Sequence, residues 1–232
     1  MNSGSRPAAR EEPTAKRRVG GPAGAGNAGF TTIYCVRHGE SESNVSGHFP
    51  DDDGSSPMLT ERGKRQAAQA GEHLQGLGID AVFTSPMPRA KQTAEYIARE
   101  LGLEATVDRR LREVDLGKLS GRSYSETVRE DPRWFEEYFD DGNRYGLEKF
   151  SAITARMLSL VRHIRDRGIG SAVLVSHLDP IRALVIAAMD AQSAGPLRNI
   201  EIGNASITIL GYDGSNFAVR ATNWLPMERY LR

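Results

Sequence analysis

Between Ser171 and Ser176 the residues Ala172-Val173-Leu174-Val175 are apolar at consecutive positions, and His177 follows directly. A strand with one wet face alternates apolar and polar residues, whereas a strand covered on both faces reads as an unbroken apolar run. Such a strand needs helices above and below it, so this segment directs the chain towards a largely parallel sheet inside an α/β fold. A second run, Thr31-Thr32-Ile33-Tyr34-Cys35-Val36, is β-branched and aromatic and ends in Arg37-His38-Gly39-Glu40.

The rest of the chain alternates in the same way. Ala67, Ala70, Leu74 and Leu77 recur at helical spacing behind Thr60, a good N-cap, and Gly76 and Gly78 close that helix. A strand is predicted over 80–85, a helix from about 89 to 101 ended by Gly102, and a short strand over 104–107. One or two short helices follow over 123–139. A long helix over 147–167 presents Phe150, Ile153, Met157, Leu160, Val161 and Ile164 on one face. Pro180 sits where the first turn of a helix tolerates proline. Runs 205–210 and 217–222 predict a closing hairpin with Asp213-Gly214 at its turn. The expected fold is α/β: a three-layer sandwich, with a mostly parallel central sheet, one antiparallel strand, and helices on both faces.

The chain of 232 residues has 30 Lys+Arg against 30 Asp+Glu. So balanced a charge argues against a basic nucleic-acid-binding body. The first 29 residues differ: Arg6, Arg10, Lys16, Arg17 and Arg18 outweigh Glu11 and Glu12 in a Gly/Ala/Pro-rich stretch. Residues 1–29 are expected to be a disordered tail, and 30–232 a single domain. Arg17-Arg18 is followed by sequence too rich in glycine for a signal core, and Glu11 and Glu12 argue against a transit peptide. No stretch reaches the roughly 18 apolar residues of a membrane span, so no membrane contact and a cytoplasmic location are expected. Oligomerisation is left open. Cys35 is the only cysteine, which excludes an internal disulfide and a cysteine zinc site and predicts a buried strand residue.

Two strands end in histidine, and strand C-termini are where open α/β sheets gather ligands. Around His38 lie Arg37 and Asn44, and Arg89 opens the helix after the second strand. Guanidinium forks match phosphate oxygens, and a neutral imidazole is a competent nucleophile near neutral pH. Glu113, in an irregular stretch, is a carboxylate of suitable reach for a general acid. From the residues alone, the set serves either a phosphate pocket or ordinary structural ion pairs.

Five motifs go further. Arg37-His38-Gly39-Glu40-Ser41 with Asn44, Leu59-Thr60-Glu61-Arg62-Gly63, the run Ser85-Pro86-Met87-Pro88-Arg89-Ala90-Lys91-Gln92-Thr93-Ala94, Leu111-Arg112-Glu113 with Gly117 and Gly121, and Val175-Ser176-His177 stand in order along the chain. Together they resemble the histidine phosphatase superfamily, the phosphoglycerate-mutase-like fold, over residues 31 to about 222. The resemblance implies a small phosphorylated substrate, no metal and no cofactor. It implies that His38 becomes phosphohistidine, that Arg37, Arg89 and His177 hold the phosphoryl oxygens with Asn44 assisting, and that Glu113 protonates the leaving oxygen and then deprotonates water. The chain departs from the family after His177, where Leu178-Asp179-Pro180 replaces the frequent glycine pair. Asp179 is expected either to act as an N-cap or to orient His177.

Hydrolysis is the favoured activity, because Glu113 is followed by Val114-Asp115-Leu116-Gly117 and not by the histidine-tyrosine pair of the family's mutases. A cofactor-dependent phosphoglycerate mutase is the alternative, and a non-catalytic phospho-ligand module a third. In this family an insertion covers the site, here a short helical lid at about 122–146. Its Trp134, Phe135, Tyr138, Phe139 and Tyr145 favour an organic or ring-bearing leaving group, and His48 and Phe49 are candidates to line its pocket. Asp51-Asp52-Asp53 reads as a solvated loop, and His73 and His163 as surface or ion-paired helix residues.

Overall fold

The computed structural model describes Met1 and residues 29–50, 57–138, 143–190 and 199–224. The expectations for the tail up to residue 28, for Asp51-Asp52-Asp53 and for Phe139 lie outside these residues. Six strands form one sheet: β1 (Thr31–Arg37), β2 (Ala81–Thr84), β3 (Ala105–Val107), β4 (Ser171–Ser176), β5 (Ile207–Tyr212) and β6 (Phe217–Trp224). Their order is β3-β2-β4-β1-β5-β6. The first four strands run parallel, and β5 is antiparallel to both β1 and β6.

The helices are α1 (Glu42–Ser46), α2 (Glu61–Leu74), α3 (Pro88–Leu101), α4 (Tyr124–Glu130), α5 (Phe150–Asp166) and α6 (Leu178–Ala188). The two-residue period of the strands sorts the core into two layers. Ile33, Cys35, Ala172 and Leu174 face Ile153, Met157 and Leu160 of α5 and Ile181 and Leu184 of α6. Val36, Val173 and Val175 face Ala70 and Leu74 of α2 and Ala90, Ala94 and Ile97 of α3. This is the three-layer arrangement that the unbroken apolar run demands. Cys35 is wholly buried, and burial pushes its thiol up to about 12.

Several element boundaries differ from the sequence expectation. α2 stops at Leu74, and Leu77 is exposed beyond it, because Gly76 and Gly78 both take left-handed backbone and turn the chain away. α5 starts at Phe150, so the buried Leu147 packs from the preceding turn and not from the helix. Of the hairpin strands, β5 starts and ends two residues later than expected and β6 ends two residues later, while the turn stays at Asp213-Gly214, where Asp213 Oδ1 accepts from the amides of Ser215 and Asn216, both at 2.7 Å. Residues 108–121 contain short 3₁₀ turns at Arg109–Leu111 and Gly117–Leu119. The 122–146 segment holds α4 and a 3₁₀ turn, Trp134–Tyr138. Among the described residues no helix is long and apolar enough to cross a membrane.

Candidate active site

The parallel pairing of β1 with β4 sets Arg37 opposite Ser176, so both strands end level and the next residues, His38 and His177, leave the same edge together. The His38 amide donates to the Ser176 carbonyl at 3.0 Å, and the two imidazole centroids lie 5.1 Å apart. His38 is buried. Its Nδ1 lies 2.8 Å from the Gly39 carbonyl, an acceptor only, and its Nε2 lies 3.2 Å from Arg89 Nε, a donor only. These partners assign the proton to Nδ1 and leave a lone pair on Nε2. Burial, then Arg89 and Arg37, hold His38 well below the ordinary histidine range, so the ring is neutral.

The loop after His38 is fixed by backbone meeting backbone. A Cβ on Gly39 would stand 2.4 Å from the Gly63 carbonyl oxygen, and one on Gly63 would stand 1.9 Å from that of Glu40. Neither position has room for a side chain. The Gly39 amide also donates to Thr93 Oγ1 at 3.0 Å, tying the loop to α3. Arg89, wholly buried, follows Pro88 in the first turn of α3, where proline starts a helix without cost. Arg37 Nη1 donates to the Ile202 carbonyl at 2.7 Å, and its buried Nε meets no acceptor among the described residues.

Asn44 closes the site from α1. Its Oδ1 accepts from the Ser41 amide, the Ser41 hydroxyl and Asn204 Nδ2, each at 3.0 Å. With the carbonyl end so occupied, the amide nitrogen is the end left for a ligand. Asn204 Nδ2 also reaches the His38 carbonyl at 3.2 Å.

Glu113 stands across from these cations. Burial first, and then the nearby Asp179 carboxylate, push its carboxyl up to about 7, against the pull of Arg89 and Arg37. Its Oε1 accepts from the Val114 amide at 3.0 Å. The loop is clamped from α5, where Arg156 donates to the carbonyls of Arg110 at 2.5 Å and Glu113 at 3.3 Å and pairs with Glu148 at 2.9 Å.

His177 is wholly buried and lies behind the cavity surface, with Nδ1 3.9 Å from Glu113 Oε2. Its Nε2 lies 2.8 Å from Ser85 Oγ, which already accepts from the Met87 amide at 3.2 Å. Among the described residues the Ser85 hydroxyl has no other acceptor for its proton than Nε2, which places the ring proton on Nδ1, itself without an acceptor among the described residues. His177 itself takes the N-cap position of α6, which corrects the N-cap expectation for Asp179; that residue lies inside the first turn, 3.5 Å from Arg182 Nη1.

Arg37, His38, Asn44, Arg89 and Glu113 line one cavity of about 810 Å³, together with Leu178, Asp179 and the aromatic residues Phe49, Tyr124, Trp134, Phe135 and Phe150. His48 and Phe49, the leaving-group candidates, also line it. His73 is half-buried and tied to the Gln69 carbonyl, and His163 is exposed; both stand away from the site on helices. Sequence reading missed Ser85 and Asn204 as site residues. Ser85 carries the same strand-end signal as the histidines, whereas Asn204 sits in a loop without any local pattern. Among the described residues no group of three His, Cys, Asp or Glu side chains is placed to hold a metal ion.

A neutral buried imidazole beside guanidiniums, sharing a cavity with a carboxyl poised near neutrality, is an arrangement able to take and release a phosphoryl group. The chain belongs to the histidine phosphatase superfamily (branch 1), whose family model matches residues 33–225. Among individual relatives, it is 32% identical over 197 residues to a probable phosphoglycerate mutase GpmB of Salmonella paratyphi A, covering 83% of this chain and 89% of that one. Its fold is similar to that of the mycobacterial glucosyl-3-phosphoglycerate phosphatase Rv2419c with VO3, at a TM-score of 0.74 and 25% identity over 84% of this chain and 99% of that one. Bacillus stearothermophilus YhfR is similar at a TM-score of 0.74 and 30% identity, over 84% and 98% of the two chains.

Proposed function

We propose that this chain hydrolyses phosphomonoesters through a phosphohistidine on His38, without a metal ion. The observation that carries the reading is the His38 ring: neutral, buried, its proton held on Nδ1 by the Gly39 carbonyl and its Nε2 lone pair facing the arginine that would meet phosphate. In the first step Nε2 attacks phosphorus, the P–O ester bond breaks, and the Glu113 proton goes to the departing oxygen. In the second, Glu113 takes a proton from water as its oxygen attacks phosphorus, the P–N bond breaks, and phosphate leaves with His38 neutral again. A carboxyl near 7 suits both roles, since it gives and takes a proton with little bias either way. Arg37, Arg89 and the Asn44 amide would hold the phosphoryl oxygens, with the His177 Nδ1 proton directed at the same charge from behind.

The second reading, a phosphoglycerate mutase, is favoured by the 32% identity to a probable enzyme of that kind. Against it stands the Val114-Asp115 sequence after Glu113. One set of assays separates the readings. Wild type should turn over p-nitrophenyl phosphate, form an acid-labile, alkali-stable phosphoenzyme, keep its rate in EDTA and be inhibited by vanadate. His38→Ala should lose about 10³-fold or more of the rate and all of the label. Transfer of phosphate from 2,3-bisphosphoglycerate to the second hydroxyl of phosphoglycerate, faster than release to water, would establish the mutase instead. Binding without turnover would reject both.

A further inference from the structure

The cavity is far larger than a phosphoryl group needs, and at about 810 Å³ it has the size of a site for a whole organic ligand. Beyond the arginines its outer half is walled by four rings. The Phe49 centroid lies 5.1 Å from that of Trp134, at 79°, and 5.4 Å from that of Tyr124, while Trp134 lies 6.1 Å from Phe135 at 82°. Such edge-to-face contacts fix the rings against one another and leave ring surface for a guest. The wall is built into the backbone, because the Phe49 amide donates to the Arg122 carbonyl and the Tyr124 amide to the Gly47 carbonyl, both at 2.9 Å. Tyr124 remains 51% exposed, a large ring held open to water at the cavity mouth.

The charges of this outer half point the same way. Asp179 and Glu136 line it, and each already has an arginine: Arg182 lies 3.5 Å from Asp179 and donates to the Ile200 carbonyl at 2.9 Å, and Arg133 lies 3.4 Å from Glu136. A carboxylate on the leaving group would find these arginines already committed to Asp179 and Glu136.

We propose that the ring wall of Phe49, Tyr124, Trp134 and Phe135 seats the leaving group and selects phosphomonoesters of neutral, ring-bearing alcohols over those of small or carboxylate-bearing ones. The inference rests on the hydrolytic reading of the site. Its test compares esters whose alcohols are similarly basic, so that the chemical step is matched. For 2-phenylethyl phosphate against ethyl phosphate, kcat/KM should favour the phenyl ester by about thirty-fold, the gain expected from burying one phenyl ring. 3-Phosphoglycerate should be the poorest of the three. Tyr124→Ala and, more conservatively, Phe49→Leu should each cut the phenylethyl-to-ethyl ratio at least about fivefold, through KM more than kcat. A ratio near one in wild type, a ratio unmoved by both substitutions, or a preference for 3-phosphoglycerate would overturn the seat while leaving hydrolysis standing. Failure to hydrolyse any ester, with no phosphoenzyme, would reject the hydrolytic reading and the seat with it.

Discussion

Gly39 offers His38 a carbonyl and Arg89 offers it a guanidinium, so the imidazole has one place for a proton and one for a lone pair. Ser85 does the equivalent for His177 through a 2.8 Å contact between fully buried groups. Ser85→Ala should therefore release the His177 tautomer and lower kcat/KM by roughly ten- to hundredfold, the worth of one buried hydrogen bond. Ser85→Thr should restore most of the rate, and the alanine variant should show an altered pH profile. A rate unchanged by Ser85→Ala would assign the His177 tautomer to something else. Glu113 makes a prediction about stability. Held near 7 against an ordinary 4.5, its carboxyl favours the protonated fold. That stabilisation is complete below 4.5 and is lost as pH rises through about 7. Glu113→Gln, which cannot ionise, should stabilise the fold relative to wild type at pH 8 by on the order of 1–3 kcal/mol, with no such gain at pH 4. Urea melts at the two pH values decide this, and an equal effect at both would rule it out. Arg37, His38 and Arg89 were legible in the sequence because strand-end and helix-start positions announce themselves locally, whereas Asn44 and Glu113 carry no such mark and stood out through the motifs they belong to. Asn204 was not, since its partner His38 lies 166 residues away and nothing in its own loop marks the contact.

The β1–α1 loop and the first turn of α2 meet at Gly39 and Gly63, where main chain packs on main chain. Gly63→Ala should destabilise the protein by about 1–3 kcal/mol through overpacking. It should also lower phosphoenzyme formation at temperatures where the variant is still folded, because the displaced neighbour is the loop that carries His38. Thermal melts and phosphoenzyme labelling test the two halves separately, and a variant with wild-type values in both would show that the contact relaxes freely. Except for the five-residue α1, the helices and strands themselves were readable from the sequence, and their ends less so. Leu77 continues the apolar spacing of α2 but lies beyond the turn at Gly76, and Leu147 precedes α5 yet is buried. Periodicity records burial, and burial does not require a residue to belong to the helix. The position of Asp179 illustrates the same limit, for which of His177 and Asp179 begins α6 depends on backbone dihedrals that residue type does not fix.

The unbroken apolar run of β4 correctly announced layers on both sides of the sheet, but strand order was beyond its reach, since pairing is set by contacts remote in sequence. One consequence of the layering can be measured on Cys35. With its thiol wholly buried and pushed up to about 12, it should resist iodoacetamide in the native protein at pH 8 and react only through unfolding, so that its labelling rate reports the global opening equilibrium. Rapid labelling without denaturant would mean that β1 opens locally. β1 lies between β4 and β5, and neither neighbour appears until residue 171 and residue 207. During synthesis the first strand therefore emerges with both of its sheet partners still unmade, an apolar ribbon with two unpaired edges through most of translation. Pairings this distant also slow folding. A ribosome-bound chain stalled before residue 207 should be an aggregation-prone client for chaperones and should take no phosphoryl label, with labelling beginning only once β5 has cleared the exit tunnel.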